Sequence, residues 1–526
     1  MVSRRLPGPL SEYRAKGKRL SPRAVAGSRA ESKVEPQTRN SGPGPSTSNL
    51  KIRTWNLEPE TENSLQRRSL LLIGASFTAA IGGFLFGFDT AVISGTISFV
   101  KSQFALNTIE EGWYVSSALV GCIAGVSFAG TLSDRFGRKT VLLLSSLLFL
   151  ISTVGCAVAP TNLVLVLSRL VAGTGIGVAS MLSPLYIAEI APAAYRGRLV
   201  ALYQLAITIG ILCAYFSNAS VLSISEGSSF SSGLFKWIYA DEIWRGMFAN
   251  MLIPNLMFLV LLLLIPESPR WLISKGFTDK ARSILARIQN RITSDDDYHE
   301  LVATIQQEQG SLSQLFRPGL RTALLIGVFL PIFSQISGIN VIIYYGPRIL
   351  HEAGFSISGA LGGQVTIGIV NVLFTLLAIW QVDRLGRKPL LLFGIAGVVV
   401  SLIAVGLFFY SQVSQGIVLI IFILFFIACF AFSLGPGTWI VISEIFPTHI
   451  RGRAMSIGTF ALWSANAVVG QLFPWMLENI GPAGTFWTFA AICLPAFFFV
   501  RKVLPETKGK TLEEIERFLQ RKGAQQ

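Results

Sequence analysis

The chain is poor in charged residues and in the side chains that build metal or disulfide centres. Only 14% of its 526 residues are Asp, Glu, Lys or Arg, against about 25% in an average soluble protein. An ordinary globule of this length could not cover its surface with so few charges. Three histidines and five cysteines leave little material for a His/Cys metal centre or a disulfide scaffold. These shortages, and the absence of a Walker or zinc-ligand motif, argue against an enzyme and against a bound cofactor or metal.

Most of the chain consists of long apolar runs with few charged residues. From Leu70 onward the sequence breaks into about twelve apolar stretches of roughly 20 residues, the length that an α-helix needs to cross a bilayer. Such continuous runs do not alternate as barrel strands do, and backbone groups in lipid must be paired within the protein. We therefore predict an all-α membrane protein of about twelve transmembrane helices, with the lipid bilayer as its surroundings.

Residues 1–69 have a different composition. The first 70 residues hold 14 Lys and Arg against 6 Asp and Glu, and residues 1–48 have few large apolar side chains to offset the entropy of ordering. We expect a disordered basic tail. Its composition is typical of an organelle transit peptide, and equally of a solvated tail beside an anionic leaflet. We do not expect it to bind nucleic acid.

Lys and Arg concentrate in the loops on one side of the predicted bundle. That side includes the segment 266–321 and the C-terminal tail, 505–526, so the positive-inside rule places both termini in the cytoplasm. Within 266–321, apolar residues recur at helical spacing from Ala281 to Ile288, which predicts an amphipathic helix packed on the ends of the bundle. We expect the plasma membrane, with a plastid or other organelle envelope as the alternative.

The sequence repeats itself after six spans. Asp-Arg-Phe-Gly-Arg-Lys at 134–139 follows the second span, and Asp-Arg-Leu-Gly-Arg-Lys at 383–388 follows the eighth. Pro-Glu-Ser at 266–268 and Pro-Glu-Thr at 505–507 form another pair, after the sixth and twelfth spans. Repetition of this kind indicates two six-helix halves in parallel orientation, which rock against each other around a site at the membrane midplane. The predicted halves are 70–265 and 322–504.

Acids and arginines recur at equivalent places on the cytoplasmic side of both halves. Ion pairs between helices here would hold that side closed, and breaking them would favour the opposite state. The alternative is that these residues are topology markers joined by ordinary ion pairs, each worth about 0–1 kcal/mol when exposed. The predicted gate residues are Asp134 with Arg138 and Glu189 with Arg196 in the first half, and Asp383, Arg387 and Glu444 with Arg451 in the second.

These motifs together resemble those of the sugar-porter family of the major facilitator superfamily. The resemblance rests on the repeated motif at 134–139, Pro-Glu-Ser-Pro-Arg at 266–270, Gln-x-Ser-Gly-Ile-Asn at 335–340 and Pro-Glu-Thr-Lys-Gly at 505–509. The family includes bacterial xylose/proton symporters and mammalian facilitative glucose carriers. The resemblance implies a monosaccharide transporter that works by alternating access as a monomer. A non-transporting sugar sensor on the same fold is the more distant alternative.

A sugar site needs polar groups for the hydroxyls and an aromatic wall for the C–H faces. By resemblance, four amide side chains match positions that hydrogen-bond the sugar ring, and two tryptophans match positions that line the site. Asn466 is a further amide within the spans. The alternative role for these amides is hydrogen bonding between helices. The predicted substrate-binding residues are Gln204, Gln335, Asn340, Asn371, Asn466, Trp439 and Trp463.

Two departures from the family pattern bear on the choice of sugar. Ser334 stands where many members have a glutamine, and Ile211 stands where bacterial xylose carriers have another. The apolar Ile211 resembles the glucose carriers, so we expect a hexose, with xylose as the rival. Helix-weakening glycines at Gly338 and at Gly435-Pro-Gly437 are expected to interrupt two spans near the site.

Asp89 is the most informative acid in the spans. An intramembrane carboxylate is costly unless it is paired or protonated, and such residues commonly mark ion pathways. Burial favours the neutral carboxyl and a guanidinium favours the ionised one, so movement of Arg169 would switch Asp89 between the two forms. By resemblance, proton-coupled porters have Asp here, whereas Met251 replaces a second carboxylate of some symporters. We expect a proton as the coupling ion; the alternatives are a permanent structural pair and an uncoupled facilitator.

Overall fold

A computed structural model describes most of the chain from residue 62 onward. Within the described ranges every regular element is helical, which confirms the all-α prediction. The side chains of 62–69, 383 and 451 lie outside the description. The described residues are 62–192, 196–227, 233–288, 302, 315–316, 320–412, 416–446, 450–508 and 514.

The first half contains five long helices followed by shorter ones. A π-helical turn, Trp237–Asp241, lies between the helices Leu234–Lys236 and Ile243–Ala249. The predicted sixth span is divided, because it begins in the helix Ile243–Ala249 and continues in the helix Leu252–Leu264. The helices are α1 Glu62–Phe104, α2 Thr108–Phe136, α3 Arg138–Val158, α4 Asn162–Ile190, α5 Arg196–Gly227, α6 Leu234–Lys236, α7 Ile243–Ala249 and α8 Leu252–Leu264.

Two short helices follow the first half, and the second half then repeats the pattern. The amphipathic segment is a helix, α10, in which Ala281, Leu285 and Ile288 are buried. The remaining helices are α9 Pro269–Ser274, α10 Thr278–Ile288, α11 Leu320–Ile336, α12 Ile339–Glu352, α13 Ile357–Leu385, α14 Arg387–Tyr410, α15 Gly416–Phe432, α16 Leu434–Ile445, α17 Arg451–Asn479 and α18 Gly481–Lys502.

Eleven helices or broken helices in the described residues are long and apolar enough to cross a membrane. The predicted span that is missing from these eleven is α17, the eleventh along the chain and a 29-residue helix. It has the length to cross but carries Asn466 and Gln471 among its apolar residues. The helical content and span lengths therefore agree with the predicted architecture.

Two spans are broken, as the sequence predicts. Between α11 and α12 the chain turns at Gly338, whose φ is +87°, a left-handed conformation that glycine adopts without steric cost. Between α15 and α16 the break falls at Ser433, two residues before the predicted Gly435. Gly435 and Pro436 lie instead in the first turn of α16, where a proline removes no helical hydrogen bond.

Glycines bring helices of the first half close together. Gly121 and Gly125 of α2 face Gly173 and Gly177 of α4, so each helix presents a Gly-x-x-x-Gly stripe. A Cβ added at Gly173 would lie 1.8 Å from the carbonyl oxygen of Ala118, which leaves no room for any side chain. Such small-residue contacts drive helix packing in membranes. The halves meet where α2 contacts α17, α5 contacts α13 and α1 contacts α12.

Candidate substrate and coupling site

The broken seventh span positions two of the predicted amides. Gln335 is buried in the last turn of α11, and Asn340 lies in the first turn of α12. The Asn340 side-chain N–H group donates to the Gln335 side-chain oxygen across the break at Gly338. The two amides therefore form one polar unit, and a sugar hydroxyl would have to bind to this unit or replace its internal hydrogen bond.

A third amide lies on α17 and reaches the same helix. Asn466 is buried, and its Nδ2 donates to the hydroxyl of Tyr344 on α12 at 3.0 Å. The Asn466 Oδ1 has no hydrogen-bond partner among the described residues. Tyr344 was not among the predicted residues, although its position four residues after Asn340 places it on the same helical face.

The remaining predicted substrate residues differ in how deeply they are buried. Asn371 is buried on α13, whereas Gln204 on α5 and Trp439 on α16 are half-buried. Trp463 on α17 is 1% exposed and packs on Phe86 of α1, with ring centroids 5.1 Å apart.

A small cavity joins the predicted proton pair to the predicted aromatic wall. Asp89, Arg169, Tyr344 and Trp463 line it together with apolar side chains. Its volume is about 10 Å³, enough for about one water molecule and far too small for a sugar. The cavity lies between the halves, since Asp89 and Arg169 belong to the first half and Tyr344 and Trp463 to the second.

Asp89 and Arg169 face each other without a close hydrogen bond. Arg169 Nη1 lies 3.7 Å from Asp89 Oδ2, and the side chains are 3% and 5% exposed. A charge-assisted hydrogen bond would be about 2.7–2.9 Å long, so the pair is loose. The arginine also lies near the rings of Tyr114 and Phe248, 6.0 and 5.8 Å from the centroids. These rings hold the guanidinium beside the carboxyl group without fixing their separation.

The motif residues of the first half form one cluster. Arg138 binds Glu189 of α4 at 3.1 Å and Asp134 of α2 at 3.0 Å. Glu267, which precedes α9, accepts hydrogen bonds from the backbone N–H groups of Arg138 and Lys139 at 2.9 and 3.0 Å. The hydroxyl of the next residue, Ser268, donates to Glu189. Three separate sequence motifs thus meet at one point.

The second half repeats the contacts that Glu189, Glu267 and Ser268 make in the first half. Arg387 binds Glu444 at 2.8 Å, Glu506 accepts from the backbone N–H groups of Arg387 and Lys388 at 3.0 Å each, and Thr507 donates to Glu444 at 2.5 Å. Burial opposes ionisation of Glu506, but the backbone N–H groups of Lys508, Arg387 and Lys388 outweigh it and hold the pKa of this carboxyl below its usual value.

One predicted ion pair, Asp134 with Arg138, is present in the structure. Arg138 also binds Glu189, and Arg387 binds Glu444, so each of these acids contacts an arginine of its own half that the sequence did not pair with it. The pairing of Glu189 with Arg196 stays a prediction, and the side chains of Asp383 and Arg451 lie outside the described residues.

Among the described residues, polar contacts on the side opposite the motifs join the two halves, and sequence reasoning missed them. Glu111 at the start of α2 is 0% exposed; it accepts from Lys101 Nζ at 2.6 Å and from the guanidinium of Arg348 on α12. Nearby, Ser116 donates to Gln471 of α17 at 2.7 Å. The available sequence signal was an acid, Glu111, near the start of a span in the first half and an arginine, Arg348, near the end of a span in the second.

Comparisons with known proteins agree with this geometry. The family described as "Sugar (and other) transporter" matches residues 75–519. The arabinose-proton symporter of Bacillus subtilis is 43% identical over 469 residues, covering 89% of this chain and 99% of that protein. The D-xylose-proton symporter of Escherichia coli is 39% identical over 483 residues, covering 86% of this chain and 96% of that protein.

Solved structures of sugar transporters also resemble this chain. The E. coli xylose transporter in a partially occluded inward open conformation matches with a TM-score of 0.72 at 38% identity, covering 84% of this chain and all of that one. The proton:xylose symporter bound to 6-bromo-6-deoxy-D-glucose matches with the same TM-score and identity, covering 86% of this chain and all of that one. The chain belongs to the sugar-porter family of the major facilitator superfamily.

Proposed function

We propose that this transporter moves a monosaccharide together with a proton by alternating access. The observation that carries the proposal is the position of Asp89 and Arg169, which border the same cavity as Tyr344 and Trp463. A change in the charge of Asp89 would therefore be felt at the wall of the sugar site. The relatives named as arabinose-proton and D-xylose-proton symporters support the coupling.

In this mechanism the sugar binds between the halves. The amides of Gln335, Asn340 and Asn466 would bind its hydroxyls, with Gln204 and Asn371 completing the set. Trp439 and Trp463 would cover its apolar faces. Protonation of Asp89 would weaken its attraction for Arg169, and the 3.7 Å separation leaves the guanidinium able to move. Rocking of the halves would then carry sugar and proton to the other side.

The identity of the sugar is a separate question. Ile211 favours a hexose such as glucose, Ser334 leaves the preference open, and the relatives carry the names of pentoses. Xylose therefore stands as the second candidate. An uncoupled facilitator with a permanent Asp89–Arg169 pair is the alternative mechanism.

The test is uptake into vesicles containing the purified protein, with labelled glucose, xylose and arabinose supplied in parallel. We expect accumulation above equilibrium under an inward proton gradient, and its collapse with a protonophore. The Asp89→Asn variant should lose accumulation, at least tenfold, while still exchanging sugar at equilibrium. Asp241→Asn, which changes an exposed acid that does not line the cavity, is the matched control. Full accumulation by Asp89→Asn would contradict the coupling role of Asp89, whereas equal uptake by the wild type with and without the gradient would favour the facilitator.

We also propose that the motif side faces the cytoplasm, in the plasma membrane, and that one chain is the transporting unit. The positive-inside rule supports the orientation, and both halves of a single chain supply the cavity walls. Protease protection of tags at the two termini in sealed cells tests the orientation. Cleavage of either tag from outside would contradict it, and localisation of a fluorescent fusion separates the plasma membrane from an organelle envelope.

A further inference from the structure

A second cavity lies on the motif side, away from the substrate site. Its volume is about 180 Å³, large enough for a small polar group. The walls come from α1, the start of α3, the end of α8 and the amphipathic helix α10, and they include Leu71, Lys139, Leu263, Ile284 and Arg287. It is thus the junction where the linker helix meets the first half.

The cavity is positively charged. Lys139 and Arg287 are its ionisable lining residues, and no acid is among the described residues that line it. The nearest motif acid, Glu267, already accepts from the backbone N–H groups of Arg138 and Lys139. Lys139 Nζ donates to the carbonyl oxygen of Leu263 at 2.9 Å, which holds the ammonium at the cavity wall. An ammonium has three N–H donors, so two remain for a ligand.

The cavity also lies at the level of the lipid headgroups. Leu71 is at the start of the span Leu70–Phe104, and Leu263 and Leu264 are at the end of the span Ile243–Leu264. Leu263 and Leu264 are 58% and 73% exposed, as expected for side chains that face acyl chains. A ligand here would contact two cations on one side and lipid-facing leucines on the other.

We propose that this cavity binds the phosphate of an anionic phospholipid from the leaflet on the motif side. Basic pockets between membrane helices on the cytoplasmic side are typical sites for anionic headgroups. The adjoining exposed leucines favour a lipid over a free phosphate ion, because they bind the acyl chains of the same molecule. The lipid would join Arg287 of α10 to Lys139 of α3 and hold the linker helix against the first half.

The test uses the full-length protein, with phosphatidylglycerol as the probe and phosphatidylcholine as the neutral comparison. Native mass spectrometry of protein released from mixed micelles counts the phosphatidylglycerol molecules retained. We expect Arg287→Gln and Lys139→Gln each to weaken retention about fivefold, since one basic residue contributes about 1 kcal/mol of attraction to an anionic surface. Arg287 is exposed, so its replacement does not disturb the core. Arg282→Gln, on the same helix but outside the cavity, is the matched control.

Three results would overturn the proposal. Arg287→Gln could retain phosphatidylglycerol as well as the Arg282→Gln control does. Phosphatidylcholine could be retained equally, which would indicate an apolar contact alone. Glycerol phosphate, added as a soluble competitor, could displace the lipid at matched concentration, which would indicate a free-anion site. None of these readouts depends on sugar transport or proton coupling.

Discussion

At the scale of single residues, one carboxylate on each half fixes the turn that follows a motif helix. Glu506 accepts from the backbone N–H groups of Arg387 and Lys388, the first residues of α14. The first N–H groups of a helix have no partner within it, and the helix dipole favours negative charge there. Glu506 therefore caps the N-terminus of α14, although it lies more than 100 residues further along the chain. Glu267 caps the N-terminus of α3 in the same way.

This geometry predicts how stability depends on pH. The pKa of Glu506 is lowered in the folded protein, because the backbone N–H groups outweigh the effect of its burial. Its contribution is therefore complete above the unfolded-state pKa, about 4.3, and is lost as pH falls through the lower folded-state pKa. We expect Glu506→Gln to lower the free energy of unfolding by about 1 kcal/mol at pH 7, and the difference from wild type to shrink below pH 4.

Thermal unfolding in detergent between pH 3.5 and 7 measures this difference. Glu226→Gln, which replaces an exposed acid near the end of α5, is the control and should follow wild type throughout. If Glu506→Gln destabilised the protein equally at every pH, the effect would come from packing rather than from charge.

At the scale of helices, the break in the seventh span decides where Gln335 and Asn340 meet. A continuous helix would place residues 335 and 340 five positions apart, on faces that diverge by about 140°. The left-handed turn at Gly338 brings them back together, and Ile342 resumes the helix by bonding to the carbonyl oxygen of Gly338. Gly338 therefore shapes the candidate sugar site through its backbone turn, which positions Gln335 and Asn340.

The break can be tested with one methyl group. Gly338→Ala places a Cβ on a residue with φ of +87°, and the ring of Phe489 lies 3.4 Å from that Cβ. We expect a loss of about 1–2 kcal/mol, the cost of the left-handed conformation for an alanine. Sugar affinity should fall with it, because the Gln335–Asn340 unit shifts. Thermal unfolding and ligand-induced stabilisation, measured on the same samples, separate the two effects.

Gly362→Ala is the matched control, since that glycine lies within α13 with nothing within 4 Å of the added Cβ. We expect it to be neutral or slightly stabilising. A Gly338→Ala variant as stable as Gly362→Ala would mean that the break is not maintained in the membrane.

The sequence predicts the spans and their breaks better than it predicts the contacts between helices. Apolar length defines the spans, and the glycine at 338 marks the first break. The second break falls at Ser433 rather than Gly435, because Gly435 and Pro436 fit the first turn of the next helix. Tyr344 escaped prediction because an intramembrane tyrosine is usually a packing residue. Its role emerges only when α17 places Asn466 beside it, and residue patterns do not encode that distance.

At the scale of the whole molecule, the ion pairs that the structure describes differ between the two sides of the bundle. On the motif side, the Arg138–Glu189 and Arg387–Glu444 pairs each lie within one half. On the opposite side, Glu111 of the first half binds Arg348 of the second. The structure is therefore closed on the side opposite the motifs, and contacts there bear directly on the balance between the two transport states.

Glu111 should therefore control how often that side opens. In the closed state its carboxylate is inaccessible to water and binds both Lys101 and Arg348; when the halves separate, all three groups can be hydrated. Glu111→Gln removes the charge but keeps an oxygen that accepts hydrogen bonds, so the closed state loses more than the open state. The difference between charged and neutral hydrogen bonds is about 1–2 kcal/mol, which corresponds to roughly a tenfold rise in the open population.

Distances between spin labels at Ile109 and Ile480, exposed residues near the ends of α2 and α17, report that population directly. The variant should populate longer distances, whereas Asp241→Asn, an exposed acid on the same side, should match wild type. Unchanged distances in Glu111→Gln would assign closure to the neighbouring contacts, such as Ser116 with Gln471. A longer distance would mean that one buried carboxylate sets the resting state of this side of the bundle.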